Sequence, residues 1–196
     1  MTKVIGLTGG IASGKSTVAN LIRNLKLPLI DSDQVARDVM LKPEVIKELR
    51  DTFGNDIFDD EDKLSRKTLA RIIYADEDKR NRLNDIVHPL VRKEIERQLS
   101  NEYQECKLVF VDVPLLYESG FDQIMDAVIV VYVPKDVQLS RLIKRDHIEE
   151  AYAHQKIKAQ EDLEKKVKKA DYVIDNSGSV DYTNRQLHQV LEEIEV

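Results

Sequence analysis

The sequence predicts an α/β fold, a five-stranded parallel sheet flanked by helices, and three observations predict it. Short apolar runs at Val4–Leu7, Leu27–Ile30, Lys107–Asp112, Ala127–Val133 and Asp171–Asp175 have strand length. They are near-continuous rather than alternating, as strands buried on both faces are. Charged stretches with helical spacing separate them, and parallel strands need such crossovers. The first run also leads into Gly9-Gly10-Ile11-Ala12-Ser13-Gly14-Lys15-Ser16, followed by Thr17-Val18-Ala19-Asn20-Leu21-Ile22 with apolar residues at helical spacing.

That turn has the form G-x-x-x-x-G-K-[ST], between a strand and a helix as the pattern requires. Glycines 9, 10 and 14 let the backbone curl around an anion and aim its N–H groups inward. The helix opening near Lys15 adds its positive dipole end. Lys15 supplies a mobile charge for β- and γ-phosphates, and the Ser16 hydroxyl suits Mg²⁺. Ala12, Ser13, Gly14, Lys15, Ser16 and Thr17 are therefore the expected nucleotide-binding set. A glycine-rich turn without a ligand is the competing reading, and the intact spacing with both flanks argues against it.

At 196 residues the chain suits one domain with a mobile appendage. Its net charge of −6 argues against a general nucleic-acid binder, although a local basic patch can still hold a small anion. Cys106 is the only cysteine, which excludes an internal disulfide and fits a reducing cytoplasm. Met1-Thr2-Lys3 runs straight into a strand, so no signal peptide is expected, and no apolar run reaches membrane-spanning length. Oligomeric state is not legible.

Along the chain, helix one is expected to end near 24–26, and the strand at Leu27–Ile30 to deliver Asp31-Ser32-Asp33 to the ligand-binding edge of the sheet. Asp31 or Asp33 can accept a proton from an attacking hydroxyl, and one of them can cap the next helix, 34–40. Asp33, further from the strand, is the better catalytic candidate. Residues 42–105 read as a charged, helix-rich region without strands, with helices at 44–53 and 66–74 and a turn at Gly54-Asn55-Asp56. The acidic run Asp59-Asp60-Glu61-Asp62 reads as a solvated turn. His88-Pro89 precedes a helix expected at 90–99, with Pro89 as its first residue. His88 has a structural reading and a functional one, and both stay open.

The next strand ends in Asp112, placed to hold Mg²⁺ directly or through water. An apolar turn at Pro114-Leu115-Leu116-Tyr117-Glu118 follows, with Glu118 a candidate acceptor contact. After the strand 127–133, helix 135–145 carries Arg141 and Arg145 four residues apart on one face. Two such guanidiniums can clamp phosphate and neutralise charge developing during its transfer, as a closing lid would. A charged helical section at 149–169 continues this part. The last strand turns at Asn176-Ser177-Gly178, a loop placed to line an adenine pocket, before a final amphipathic helix at 182–194.

Together these segments resemble the dephospho-coenzyme A kinase family over nearly the whole chain. The likeness rests on Gly6-Leu7-Thr8-Gly9-Gly10-Ile11, on Ile30-Asp31-Ser32-Asp33 with Ala36-Arg37, and on Phe53-Gly54, Leu64-Ser65-Arg66 and His88-Pro89. It continues with Asp112-Val113-Pro114-Leu115-Leu116-Tyr117-Glu118, Arg141, Arg145-Asp146, Ala159-Gln160 and Asn176-Ser177-Gly178. The resemblance implies a P-loop kinase fold with a nucleotide core (1–33, 106–134, 170–196), a helical acceptor-binding insertion (34–105) and a lid (135–169). It implies transfer of the γ-phosphoryl group of ATP, with Mg²⁺, to the ribose 3′-hydroxyl of dephospho-CoA. In that reading Lys15, Asp33 and Arg141 are catalytic, and Arg145, Asn176 and Gly178 join the nucleotide site. Thr8, Asp33, His88 and Glu118 face the acceptor, while Ser16 and Asp112 hold the metal. Two departures stand out: Glu61-Asp62-Lys63 replaces a turn with a glycine, and Lys156 replaces an arginine. A nucleoside or nucleotide kinase is the nearest alternative. A guanine-nucleotide switch is the rival from another class, and it lacks its Asn-Lys-x-Asp segment here.

Overall fold

The computed structural model describes residues 2–195. In chain order its elements are β1 (Lys3–Gly9), α1 (Lys15–Asn24), β2 (Leu29–Asp31), α2 (Ser32–Val39), α3 (Pro43–Phe53), α4 (Arg66–Ala75) and α5 (Glu77–Asn101). Then follow β3 (Leu108–Asp112), β4 (Ala127–Tyr132), α6 (Lys135–Asp146), α7 (Glu150–Lys158), α8 (Leu163–Lys169), β5 (Tyr172–Asp175) and α9 (Val180–Glu195). The chain divides into two compact units, one of residues 1–31 with 103–196 and one of residues 32–102.

The first unit is built on one sheet of order β2-β3-β1-β4-β5, every adjacent pair parallel. The expected five-stranded parallel sheet is therefore present, with ends differing by a residue or two. Ile5, Leu7, Phe110, Ile129, Val131 and Ile174 leave the sheet for a core shared with Val18 and Ile22 of α1 and Leu187, Val190 and Ile194 of α9. Each such side chain contributes about 1.5–3 kcal/mol on burial, which is why the runs are apolar without alternation. Carboxylates close the amino edge: Asp126 accepts from Val4 N–H at 2.7 Å, and Asp171 from Val128 N–H at 2.8 Å.

The second unit is helical. Its α5 runs for 25 residues with Pro89 inside it, which corrects the expectation that Pro89 starts a helix. Leu83, Val87, Val91 and Ile95 are buried at four-residue spacing on both sides of the proline, where α5 packs on α2, α3 and α4. An interior proline costs about 3 kcal/mol. Four buried aliphatic side chains contribute about 6–12 kcal/mol, so continuity of the packed stripe prevails.

The expected turn at 59–62 is present, and Asp59 organises it by accepting from Glu61 N–H (3.0 Å) and Lys63 N–H (2.9 Å). Asp62 takes the left-handed conformation (φ 62°), which Asp is one of the few residues other than Gly to tolerate. Its carboxylate also accepts from Arg50 at 2.7 Å.

Candidate active site

The phosphate loop connects β1 to α1. Gly14 caps α1 in the left-handed region (φ 84°, ψ 28°), and Ala12 also has a positive φ of 59°. A Cβ on Gly14 would lie 2.0 Å from Asn176 Nδ2, so both backbone angle and space exclude a side chain there. Lys15 and Ser16 open the helix, where N–H groups have no intrahelical acceptor and an anion is favoured.

Distant side chains fix this loop from behind. Asn176, at the end of β5, is buried, donates to the Ser13 carbonyl at 2.9 Å and accepts from Thr183 Oγ1 at 2.9 Å. Gln138 of α6 donates to the Ile11 carbonyl at 2.8 Å, and Gln160, between α7 and α8, accepts from Ile11 N–H at 2.9 Å. In front of the loop is a cleft of about 430 Å³, lined by residues 9–12 and 14–16, Pro114, Arg141, Arg145 and Gln160. The structure thus brings Lys15, Ser16, Arg141 and Arg145 to one cavity.

Lys15 and Asp112 form an ion pair, with their side chains only 20% and 10% exposed. The sequence pattern assigns them separate ligands, and in the structure they neutralise each other. Asp112 stands in register beside Asp31 on the neighbouring strand, so two carboxylate-bearing residues sit at the carboxyl edge of the sheet. The donors fit a hard cation: an exposed Ser16 hydroxyl at the cleft and the Asp112 carboxylate are oxygen ligands. No cluster of three or more His, Cys, Asp or Glu suited to a metal occurs among the described residues. The two oxygen donors fit Mg²⁺, which is typically held by one or two protein groups plus phosphate and water.

Arg145 donates through Nε to Asp146 at 2.7 Å, and Lys156 Nζ meets the other Asp146 oxygen at 2.7 Å. The Arg145 hydrogen bond, then Lys156, holds the Asp146 carboxyl far below the usual carboxylate range. Lys156 thus shares its carboxylate partner with Arg145.

Other expected site residues are placed differently. Thr8 is fully buried and donates to the Pro114 carbonyl at 3.1 Å, which ties β1 to the turn after β3. Glu118 accepts from Lys166 Nζ (2.8 Å) and Glu161 N–H (3.1 Å), anchoring the start of α8. A Cβ on Gly178 would meet the Tyr182 ring at 3.2 Å. Asp33 lies in the first turn of α2, immediately past β2, where a carboxylate favours the helix dipole. His88 lies within α5, and its burial, partly offset by Asp85, pushes the imidazole below its ordinary value and keeps it neutral at pH 7.

Sequence reasoning missed Gln138 and Lys166. Gln138 left a signal, a polar residue four before Leu142 on the buried face of α6. Lys166 left none, being one of four lysines in a charged helix, yet it is fully buried.

No helix among the described residues is long and apolar enough to cross a membrane. The sequence profile of dephospho-CoA kinase matches residues 3–181. A dephospho-CoA kinase of Bacillus licheniformis is 44% identical over 194 residues, covering 98% of this chain and 96% of its own length. Among solved structures, a Thermus thermophilus protein aligns with a TM-score of 0.84 and 33% identity over 98% of both chains. A dephospho-CoA kinase from Campylobacter jejuni aligns with a TM-score of 0.75 and 30% identity, over 99% of this chain and 98% of its own. With the strand–loop–helix phosphate site, the arginine-lined cleft and a match over nearly its full length, the chain belongs to the dephospho-CoA kinase family.

Proposed function

We infer that this chain phosphorylates the ribose 3′-hydroxyl of dephospho-CoA at the expense of ATP, giving coenzyme A and ADP. The observation that carries the reading is the convergence of Lys15, Arg141 and Arg145 on the phosphate-loop cleft. The acceptor oxygen attacks the γ-phosphorus, the bond to the β–γ bridging oxygen breaks, and the hydroxyl proton leaves to a carboxylate or solvent. Loop N–H groups and Lys15 hold the β- and γ-phosphates, while Arg141 and Arg145 offset charge on the transferring group. Ser16 and Asp112 hold Mg²⁺, which neutralises phosphate charge when bound. Asp33 orients the acceptor hydroxyl or takes its proton, and unit 32–102 with His88 binds the acceptor. Residues 135–169 form the lid. Asn176 and Gly178 back the nucleotide site, and Thr8 and Glu118 lie toward the acceptor. The single cysteine and the ATP donor fit a cytoplasmic enzyme.

A coupled ADP-release assay with ATP, Mg²⁺ and dephospho-CoA tests the reading. ADP formation that depends on dephospho-CoA is expected, and faster turnover of any nucleoside or nucleotide in a parallel panel overturns it. Asp33→Asn is expected to cut kcat far more than ATP affinity. Equal losses in both would remove Asp33 from the chemistry.

A further inference from the structure

The Ile11 backbone is held at both its N–H and its carbonyl by side chains of one distant segment. Its carbonyl accepts from Gln138 Nε2 at 2.8 Å and its N–H donates to Gln160 Oε1 at 2.9 Å. These glutamines are far from Ile11 in sequence, and both belong to the segment that carries Arg141 and Arg145. Gln138 precedes Arg141 by three residues on α6, about one helical turn. Gln138 is only 4% exposed, so its amide is a built part of the interior. The fit is close: a Cβ on Gly10 would lie 2.6 Å from Gln138 Nε2. Next to the clamped peptide, Ala12 holds a left-handed conformation (φ 59°) that costs an L residue about 1–2 kcal/mol. The Ser13 N–H bond to the Gly10 carbonyl (3.1 Å) closes a turn around Ala12, and two directed hydrogen bonds on the preceding residue brace that turn from outside the loop. Gln160 also lines the phosphate cleft itself.

We propose that Gln138 and Gln160 are positioning residues that clamp the Ile11 backbone, setting the phosphate loop for nucleotide and registering it to the arginine-bearing helix α6. The clamp preorganises the loop, so nucleotide binding does not have to order it. It also couples the two parts: whatever displaces the 159–162 connection releases Ile11 N–H, and a nucleotide that fixes the loop holds that connection in place. Donor and acceptor roles are not interchangeable. Position 138 must donate to a carbonyl, and position 160 must accept from an N–H.

The activity consequence rests on the kinase reading, so the test uses two readouts that need no acceptor. The first is amide hydrogen exchange at Ile11 in the ligand-free protein. The second is ADP binding by calorimetry. Gln160→Met is expected to speed Ile11 exchange at least tenfold, whereas Gln160→Glu, which keeps an acceptor, preserves protection at pH 7. Gln138→Met is expected to weaken ADP binding about tenfold while the thermal midpoint stays near that of the parent. In turnover, both Met variants raise the KM for ATP more than they lower kcat. Parent-like Ile11 exchange in Gln160→Met, or parent-like ADP affinity in both Met variants, overturns the proposal. If buried Gln138→Met does not fold, the half-buried Gln160 pair decides alone. A parent protein that binds ADP with protected Ile11 but does not phosphorylate dephospho-CoA would refute the functional reading and leave the clamp standing.

Discussion

Replacing Asn176 separates a base-reading residue from one that supports the phosphate loop. In Asn176→Ala the Ser13 carbonyl loses its donor at 2.9 Å, while Thr183 Oγ1 keeps the Ser179 carbonyl at 3.3 Å. One buried group deprived of its partner costs about 1–3 kcal/mol. For a chain of this size each kcal/mol moves the thermal midpoint by about 2–4 °C, so the expected fall is about 2–12 °C in ligand-free protein. Asn176→Asp should fall further at pH 7, because it sets a carboxylate against the Ser13 carbonyl, and should recover as acid protonates it. Scanning calorimetry without ligand measures the shift, and competition between ATP and GTP measures base selection. The loop holds phosphates that both nucleotides share, so their affinities should weaken together and the preference should stay within about twofold. An unchanged midpoint combined with a lost preference for ATP would refute the reasoning and make Asn176 a reader of the base.

Lys15→Ala removes the charge aimed at the transferring phosphate and is expected to lower kcat about 10²–10³-fold in the ADP-release assay. Tyr117 buries a hydroxyl with no hydrogen-bond partner among the described residues, and burial, with Asp171 and other acids, pushes it up to about 12. Tyr117→Phe is therefore expected to stabilise the chain by about 1 kcal/mol, read by urea unfolding. Hydrogen bonds from Arg97 first, then Gln98 and Lys42, bring Glu94 down to about 2 from 4.5. With the folded value below the unfolded one, its stabilisation is complete above pH 4.5 and is lost as pH falls through about 2. The acid-unfolding curves of Glu94→Gln and the parent should differ above pH 4.5 and converge below about 2.

The sheet and the loop were legible because their causes are local. A strand buried on both faces must be apolar throughout, and a loop that wraps an anion needs glycine at fixed spacing. Pro89 was misread for the converse reason: the local rule ends a helix, and the packed stripe of Leu83, Val87, Val91 and Ile95 overrides it. Asn176, Gln138 and Lys166 were opaque in another way. Each takes its meaning from a backbone group or carboxylate brought near by the fold, at Ser13, Ile11 and Glu118.

Residues 32–102 leave the chain between β2 and β3, two strands that pair side by side. β2 has only three residues, so it gains little from pairing until the long excursion is closed. Closing a disordered loop of that length carries an entropic cost that an already folded insert largely removes, because its ends are then held at a fixed separation. The insert is built mainly of helices, whose backbone hydrogen bonds span four residues and form fast. Its early folding would turn this long-range strand pairing into a short-loop event. Destabilising α5 should therefore slow the folding of β2 onto β3, even though none of its residues belongs to the sheet.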